Sequence, residues 1–265
     1  MLLQELKPEP LWHYFEEICR IPRPSKKEGK IAAYLMDFAQ KQGLEARQDE
    51  AGNVLIKKPA VEGMEKAPIV VLQSHMDMVC EKNADTRHDF ERDPIQPYVD
   101  GEWVKARGTT LGADDGIGMA AQLALLASDD VKHGPLECLF TVDEETGLTG
   151  AFALKPGFFE GRILLNLDSE DEGELFIGCA GGIDTVIEMP VETRKTDGGA
   201  FALKVTVKGL QGGHSGDDIN KGRGNAIKIL NRFLWEINEK YGVALAGMDG
   251  GNLRNAIARE AFATI

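Results

Sequence analysis

The sequence predicts an α/β sandwich followed by a smaller α+β domain. Two observations carry that expectation. Over the first 168 residues, short apolar runs that end abruptly in polar groups alternate with helical patterns, as buried parallel strands and their crossovers do. Beyond the glycine-rich stretch GCAGGID (178–184), apolar and polar residues alternate singly, the pattern of half-buried strands. The boundary is therefore expected near residue 186, with residues 1–185 forming the larger domain and 186–265 the smaller.

Taken in order, Pro10 stands near the start of an amphipathic segment with Leu11, Phe15 and Ile18, a first helix with proline in its opening turn. Ser25-Lys-Lys-Glu28 has the spacing of a capping box and is expected to open a second helix through Ile31, Leu35 and Phe38. Gly43 is placed to end it. NVLIKK (53–58) reads as a turn and strand, and APIVVLQSHMD (67–77) as a buried strand. GIGMAAQLALLAS (116–128) is a buried helix. PLECLFTV (135–142) and RILLNLD (162–168) are two further apolar strands. In the smaller domain, VIEMPVET (186–193) and FALKVTVKG (201–209) are expected strands joined by a hairpin-like turn at Lys195–Gly199. NAIKILNRFLWEINEKY (225–241) is an amphipathic helix, and REAFATI (259–265) ends in what reads as mid-strand, so this domain is expected to be incomplete.

Composition is globular: 43% apolar and 28% charged residues over 265 positions. The net charge of −13 repels nucleic acid and anionic lipid, and neither is expected as a partner. Cys19, Cys80, Cys138 and Cys179 include no CxxC pair, which points to neither a zinc ribbon nor a disulfide framework and fits a reducing compartment. No run reaches the ~20 apolar residues of a membrane span, and the N-terminus lacks a signal-peptide pattern. A cytoplasmic location is the expectation.

Chemistry concentrates where the apolar runs stop. Three of them end in His75-Met-Asp77, in Glu144-Glu145 and in Asp168, while the loop GTTLGADDGIG carries Asp114-Asp115. Taken singly, each has a plain structural reading: a strand-end turn, solvated surface, or a helix N-cap with favourable dipole charge. Together, hard carboxylate oxygens and one imidazole at separate strand ends are what a hydrolytic divalent-metal site requires. Adjacent glutamates can divide the work, one binding metal and the other moving a proton. No GxGxxG or GxxxxGK[ST] loop follows a strand, so a nucleotide-binding domain is not expected.

In that order, His75-x-Asp77, Gly112-Ala-Asp114-Asp115-Gly116, Glu144-Glu145 and Asp168 resemble the M20 metallopeptidases. Longer stretches are similar to the aminoacyl-histidine dipeptidases of that family: HDFERDPIQPYVDGEWVKARGTTLGADDGIGMA, NLDSEDEGELFIGCAGGID, GLQGGHSGDDI and GGNLRNAIAREAFATI. The resemblance implies a zinc-peptidase-like α/β/α catalytic domain with an inserted α+β lid, incomplete here. It implies dipeptide hydrolysis, of Xaa-His and more broadly, by a water bridging two zinc ions, with cobalt or manganese as substitutes. His75 and Asp168 would hold one ion, Asp114 would bridge both, and Glu145 would hold the other. Asp77 would orient His75, and Glu144 would be the general base. His214 in Gly212-Gly-His-Ser-Gly216 would lie near the developing oxyanion. Arg254 and Asn255 would bind the substrate's carboxylate or carbonyl. A homodimer is the implied full-length assembly.

The departures shape the expectation. Asp115 stands where relatives often have Asn, adding negative charge near the ions, and Ala258 replaces a common proline. His13, His88 and His133 match no metal position, so none of the five histidines fills the place of the family's second terminal histidine ligand. The chain covers about the first half of a family member. It is therefore expected to hold one ion better than two and to hydrolyse dipeptides poorly on its own. Two other readings stay open: another M20 amide hydrolase, such as a deacylase or carboxypeptidase, and a truncated non-catalytic fragment that binds metal or self-associates.

Overall fold

The computed structural model describes residues 3, 5–169, 172–178, 181, 183, 185–195 and 199–265. Two compact units make up the chain, Met1–Gly178 and Cys179–Ile265. Among the described residues, no helix is long and apolar enough to cross a membrane.

The first unit is built on a mixed five-stranded sheet. Its strands are β1 (Glu45–Gln48), β2 (Val54–Lys58), β3 (Val70–His75), β6 (Leu136–Thr141) and β7 (Ile163–Asn166). They run in the order β1-β2-β6-β3-β7. β3 lies parallel to both β6 and β7, whereas β2 is antiparallel to β6 and β1 to β2. A separate hairpin pairs β4 (Pro97–Asp100) with β5 (Trp103–Ala106).

Period-two alternation divides the sheet's side chains between its faces. Val54, Ile56, Leu72, Cys138 and Phe140 pack into the main core with α1 (Glu9–Cys19), α2 (Gly29–Lys41) and α3 (Ala113–Ala127). Leu55, Val71 and Leu139 face the other way, onto Leu154, Phe158 and Phe159. The three long helices of this unit thus share one face. Phe15, Ile18, Ile31, Leu35 and Leu123 are at most 1% exposed, and burying each such side chain stabilises by about 1.5–3 kcal/mol. Lys58 leaves the end of β2 to close α3 from below. Its Nζ donates to the carbonyls of Leu125 (3.0 Å), Leu126 (3.0 Å) and Ser128, at the helix C-terminus, where backbone carbonyls gather partial negative charge.

Two expectations need correction here. The capping box at Ser25–Glu28 does not form: α2 begins at Gly29 with Glu28 as N-cap and no side-chain cap bond. Losing a good cap costs about 1 kcal/mol, and other partners hold both side chains. The adjacent aspartates Asp114 and Asp115 both have non-helical dihedrals where α3 opens, and Asp115 caps the regular helix that follows, its Oδ1 accepting from Gly118 N at 3.2 Å. β7 is not a buried strand. Among the described residues, Ile163, Leu164 and Leu165 are 44%, 46% and 50% exposed, and β7 is an edge strand that pairs with β3.

In the second unit, β8 (Lys204–Val207), β10 (Ala261–Thr264) and β9 (Gly247–Gly250) form an antiparallel sheet in the order β8-β10-β9. Helix α6 (Ala226–Tyr241) packs Ala226, Leu230 and Leu234 against Ala258, Ala261 and Ala263. Asn225 caps it, accepting from Lys228 N at 3.1 Å. Residues 186–193, expected to be a strand, form none; alternation alone does not make a strand where no neighbour pairs with it. Positions 196–198 of the expected hairpin turn lie outside the described residues, as do 170, 171, 179, 180, 182 and 184 of NLDSEDEGELFIGCAGGID.

Candidate metal centre

Parallel strands deliver their ends to one edge of the sheet, where open α/β folds place their sites. His75 is the last residue of β3 and stands opposite Thr141 of β6, while Gln73 stands opposite Asn166 of β7. Glu144 and Glu145 open the short helix α4 (Glu144–Gly147) three residues past Thr141, and Asp168 follows two residues past Asn166. Asp114 arrives from the loop that opens α3, through a cis peptide bond to Asp115. Gly112 makes that approach possible. Its φ is +71°, and a Cβ there would lie 2.6 Å from Arg23 Nη2 and 2.8 Å from Met78 Sδ.

His75, Asp77, Asp114, Glu144, Glu145 and Asp168 are all brought together. His75 Nε2 lies 2.8 Å from Asp114 Oδ1 and 3.7 Å from Asp168 Oδ1, and Nδ1 lies 3.3 Å from Asp77 Oδ1. Among the described residues, two groups could hold an ion, His75 with Asp114 and Asp168, and His75 with Glu144 and Glu145; within each group the ligand atoms lie within 4.8 Å of one another. The imidazole is buried, while the side chains of Asp114 and Asp168 are 45% and 24% exposed, so the cluster opens toward solvent. His13 sits on α1 near Glu17 (3.7 Å), His88 stacks edge-on against Phe90, and His133 Nδ1 lies 2.7 Å from the Gly134 carbonyl. Among the described residues, none of these three joins either group.

Three buried residues to which the sequence assigns no role in the site, Arg23, Glu28 and Asp143, help to hold the cluster. The Arg23 guanidinium donates to the carbonyls of Met76 (3.0 Å), Asp77 (2.6 Å) and Gly112, tying the end of β3 to the Asp114 loop. Asp77 accepts on Oδ1 from Glu144 N (3.0 Å), and on Oδ2 from Glu145 N (3.2 Å) and Ser25 Oγ (2.7 Å). Glu28 Oε1 accepts from Lys26 N and Asp143 N, both at 2.9 Å. Asp143, left-handed with φ 51°, accepts from the hydroxyls of Thr146 and of Thr149 (2.6 Å). The only sequence signal was a charged side chain between Pro22 and Pro24, just ahead of what reads as a cap.

Crowding of carboxylates sets the electrostatics. Burial, reinforced by the Asp114 charge, pushes Glu145 up to about 8. Burial likewise raises Glu144, and His75 opposes that rise. For Asp77 burial works upward, but the His75 and Ser25 contacts outweigh it and hold the carboxyl down at about 2. For His75 the desolvation that favours the neutral ring is overcome by Asp114, Asp168 and Asp77, which favour the cation. Asp115 lies beside the cluster. Its side chain turns inward, Oδ2 accepting from His75 N (3.3 Å) and Oδ1 from Gly118 N (3.2 Å). Burial, with the Asp168 charge, raises it to about 8. Anionic oxygens held this close, around an imidazole whose Nδ1 faces Asp77, fit a divalent cation by their donor chemistry.

In the second unit, the Gly212–Gly216 loop pairs with residues 255–257. Ser215 N donates to Asn255 O (2.9 Å), Ile257 N donates to Gly213 O (2.7 Å), and His214 bridges Ala256. His214 and Asn255 are thus neighbours, with Arg254 adjacent in sequence. His214 Nδ1 accepts from Gly216 N (3.1 Å) and Asp217 N (3.2 Å), which leaves the ring proton on Nε2. Asp218, paired with Arg223 at 2.7 Å, also accepts from His214 N at 2.8 Å.

The profile of peptidase family M20/M25/M40 matches residues 71–263. The chain is 54% identical over 263 residues to the "Cytosol non-specific dipeptidase" of Escherichia coli (strain K12), a match covering 99% of this chain and 54% of that protein. Among solved structures, the aminoacylhistidine dipeptidase of Vibrio alginolyticus aligns with a TM-score of 0.67 at 52% identity, over 100% of this chain and 54% of that one. The aminopeptidase PepT of Bacillus cereus ATCC 10987 shares the fold, with a TM-score of 0.55 at 21% identity, over 97% of this chain and 65% of that one. The chain spans about half the length of the curated dipeptidase it matches.

Proposed function

We propose, for a chain that belongs to peptidase family M20/M25/M40, that its metal centre hydrolyses dipeptides, Xaa-His among them, with bound zinc. One observation carries the reading: His75, Asp114, Glu144, Glu145 and Asp168 converge at parallel strand ends in two overlapping ion-holding groups. The relatives named as dipeptidases, at 54% and 52% identity, support the substrate class.

His75, Asp168 and Asp114 would hold one ion, and Asp114 and Glu145 would hold a second. Bound ions supply Lewis acidity and an acidified water at neutral pH. Asp77 keeps the imidazole turned toward the ions, because its carboxylate faces Nδ1 and leaves Nε2 for the metal. Glu144 takes the proton of the attacking water and returns it to the departing amine. Burial that raises its pKa toward the working pH suits both halves of that task. His214 donates from Nε2 to the carbonyl oxygen as charge develops there, and Asn255 and Arg254 hold the substrate's terminal carboxylate. Residues 1–185 act as the catalytic domain and 186–265 as the lid and dimerisation domain, in a cytoplasmic homodimer.

The test is an assay of amino acid release by the protein as its gene encodes it. Ala-His should be cleaved, N-acetyl-histidine should not, and chelation should abolish turnover until Zn2+ is restored. Chelator-insensitive cleavage, or preference for the N-acyl substrate, would contradict the reading.

A further inference from the structure

The segment Ser25–Glu28 breaks a local rule. Its residues have the right identities and spacing to cap α2 reciprocally, yet neither side chain does so. Ser25 Oγ reaches instead across 52 positions to Asp77 Oδ2 at 2.7 Å, and Glu28 Oε1 across 115 positions to Asp143 N at 2.9 Å. Forgoing a cap for distant partners is the kind of local conflict that marks a functional constraint.

The conformations point the same way. Lys26 and Asp143 are two of the non-glycine residues held at positive φ, +67° and +51°, a region that L side chains disfavour. Both donate their backbone N–H to the same buried oxygen, Glu28 Oε1. That one carboxylate therefore holds the turn that delivers Ser25 and the turn that delivers Glu144 and Glu145. Asp77 closes the circuit, since its two oxygens accept from Ser25, Glu144 N and Glu145 N while facing His75.

We propose that Ser25 and Glu28 are positioning residues of the metal centre, a brace that aims His75 through Asp77 and aims Glu144 and Glu145 through Asp143. Neither touches ion or substrate. Ser25 fixes the Asp77 carboxylate in the rotamer that presents Oδ1 to His75, and Glu28 fixes the left-handed turn from which both glutamates project. The inference rests on the metal-centre reading above.

The test is Co2+ affinity of the full chain, followed by visible absorption under chelator competition, beside the melting temperature of the metal-free chain. Ser25→Ala should weaken Co2+ binding about tenfold, the scale of losing a ligand's outer partner, without shifting metal-free melting. Ser25→Thr, which keeps the hydroxyl, should restore affinity. Glu28→Ala should lose affinity similarly. Because Glu28→Ala can also disturb folding, Glu28→Gln is its control: the amide oxygen still accepts both N–H groups and should bind Co2+ like wild type. Wild-type affinity in Ser25→Ala, or a loss matched by lower metal-free melting, would overturn the brace while leaving the metal centre standing. Co2+ uptake that is unaffected by His75→Ala would instead remove the metal-centre reading, and the brace with it.

Discussion

Replacing Glu144 with glutamine is expected to lower kcat for Ala-His about 10²–10⁴-fold, the usual contribution of a positioned general base, while Zn2+ affinity stays near that of wild type. The amide is isosteric with the carboxylate, and the Glu144 backbone N–H keeps its bond to Asp77. Only proton transfer is removed. Glu145→Gln should behave oppositely, with affinity lost first and turnover restored in part by excess Zn2+. The pair of variants is informative because the geometry admits Glu144 as a ligand in one of the two groups. Steady-state kinetics beside equilibrium dialysis reads both quantities. A Glu144→Gln variant that loses its ions would make Glu144 a ligand and leave the base unassigned.

The second large effect is on stability. With free Zn2+ at one hundred times its Kd, a folded-state site adds about 2.7 kcal/mol. For a domain of this size each kcal/mol is worth about 2–4 °C, so calorimetry should show melting rise by several degrees. Asp114→Ala should abolish most of that rise, because Asp114 Oδ1 is the oxygen nearest His75 Nε2, at 2.8 Å, and is assigned to both ions. His75→Ala should do the same. A Zn2+-induced rise that survives both substitutions would place the ion elsewhere.

Much of this site was legible because apolar runs that stop at polar residues mark strand ends. His75, Glu144, Glu145 and Asp168 follow from that pattern together with the parallel order of β3, β6 and β7. Ser25 and Glu28 have the local pattern of a cap, but their partners lie 52 and 115 positions away, beyond any local pattern. Asp114 and Asp115 are identical in type and adjacent, yet one opens to solvent and the other is buried. The loop conformation separates them, and no propensity encodes that. The apolar face of β7 read as buried, although a run of Ile and Leu cannot report whether a strand is central or at an edge. VIEMPVET has the alternation of a strand, but alternation specifies a face to bury and not the neighbour that pairs with it.

Anomalous diffraction at the zinc edge, from crystals of the chain grown with Zn2+, shows whether these strand ends form a divalent-ion centre. A strong peak is expected about 2.0–2.2 Å from His75 Nε2 and from carboxylate oxygens of Asp114 and Asp168. A weaker peak at Glu145, about 3.5–4 Å from the first, should share Asp114. Anomalous peaks only on surface residues, with the His75 cluster free of zinc, would contradict the metal-centre reading.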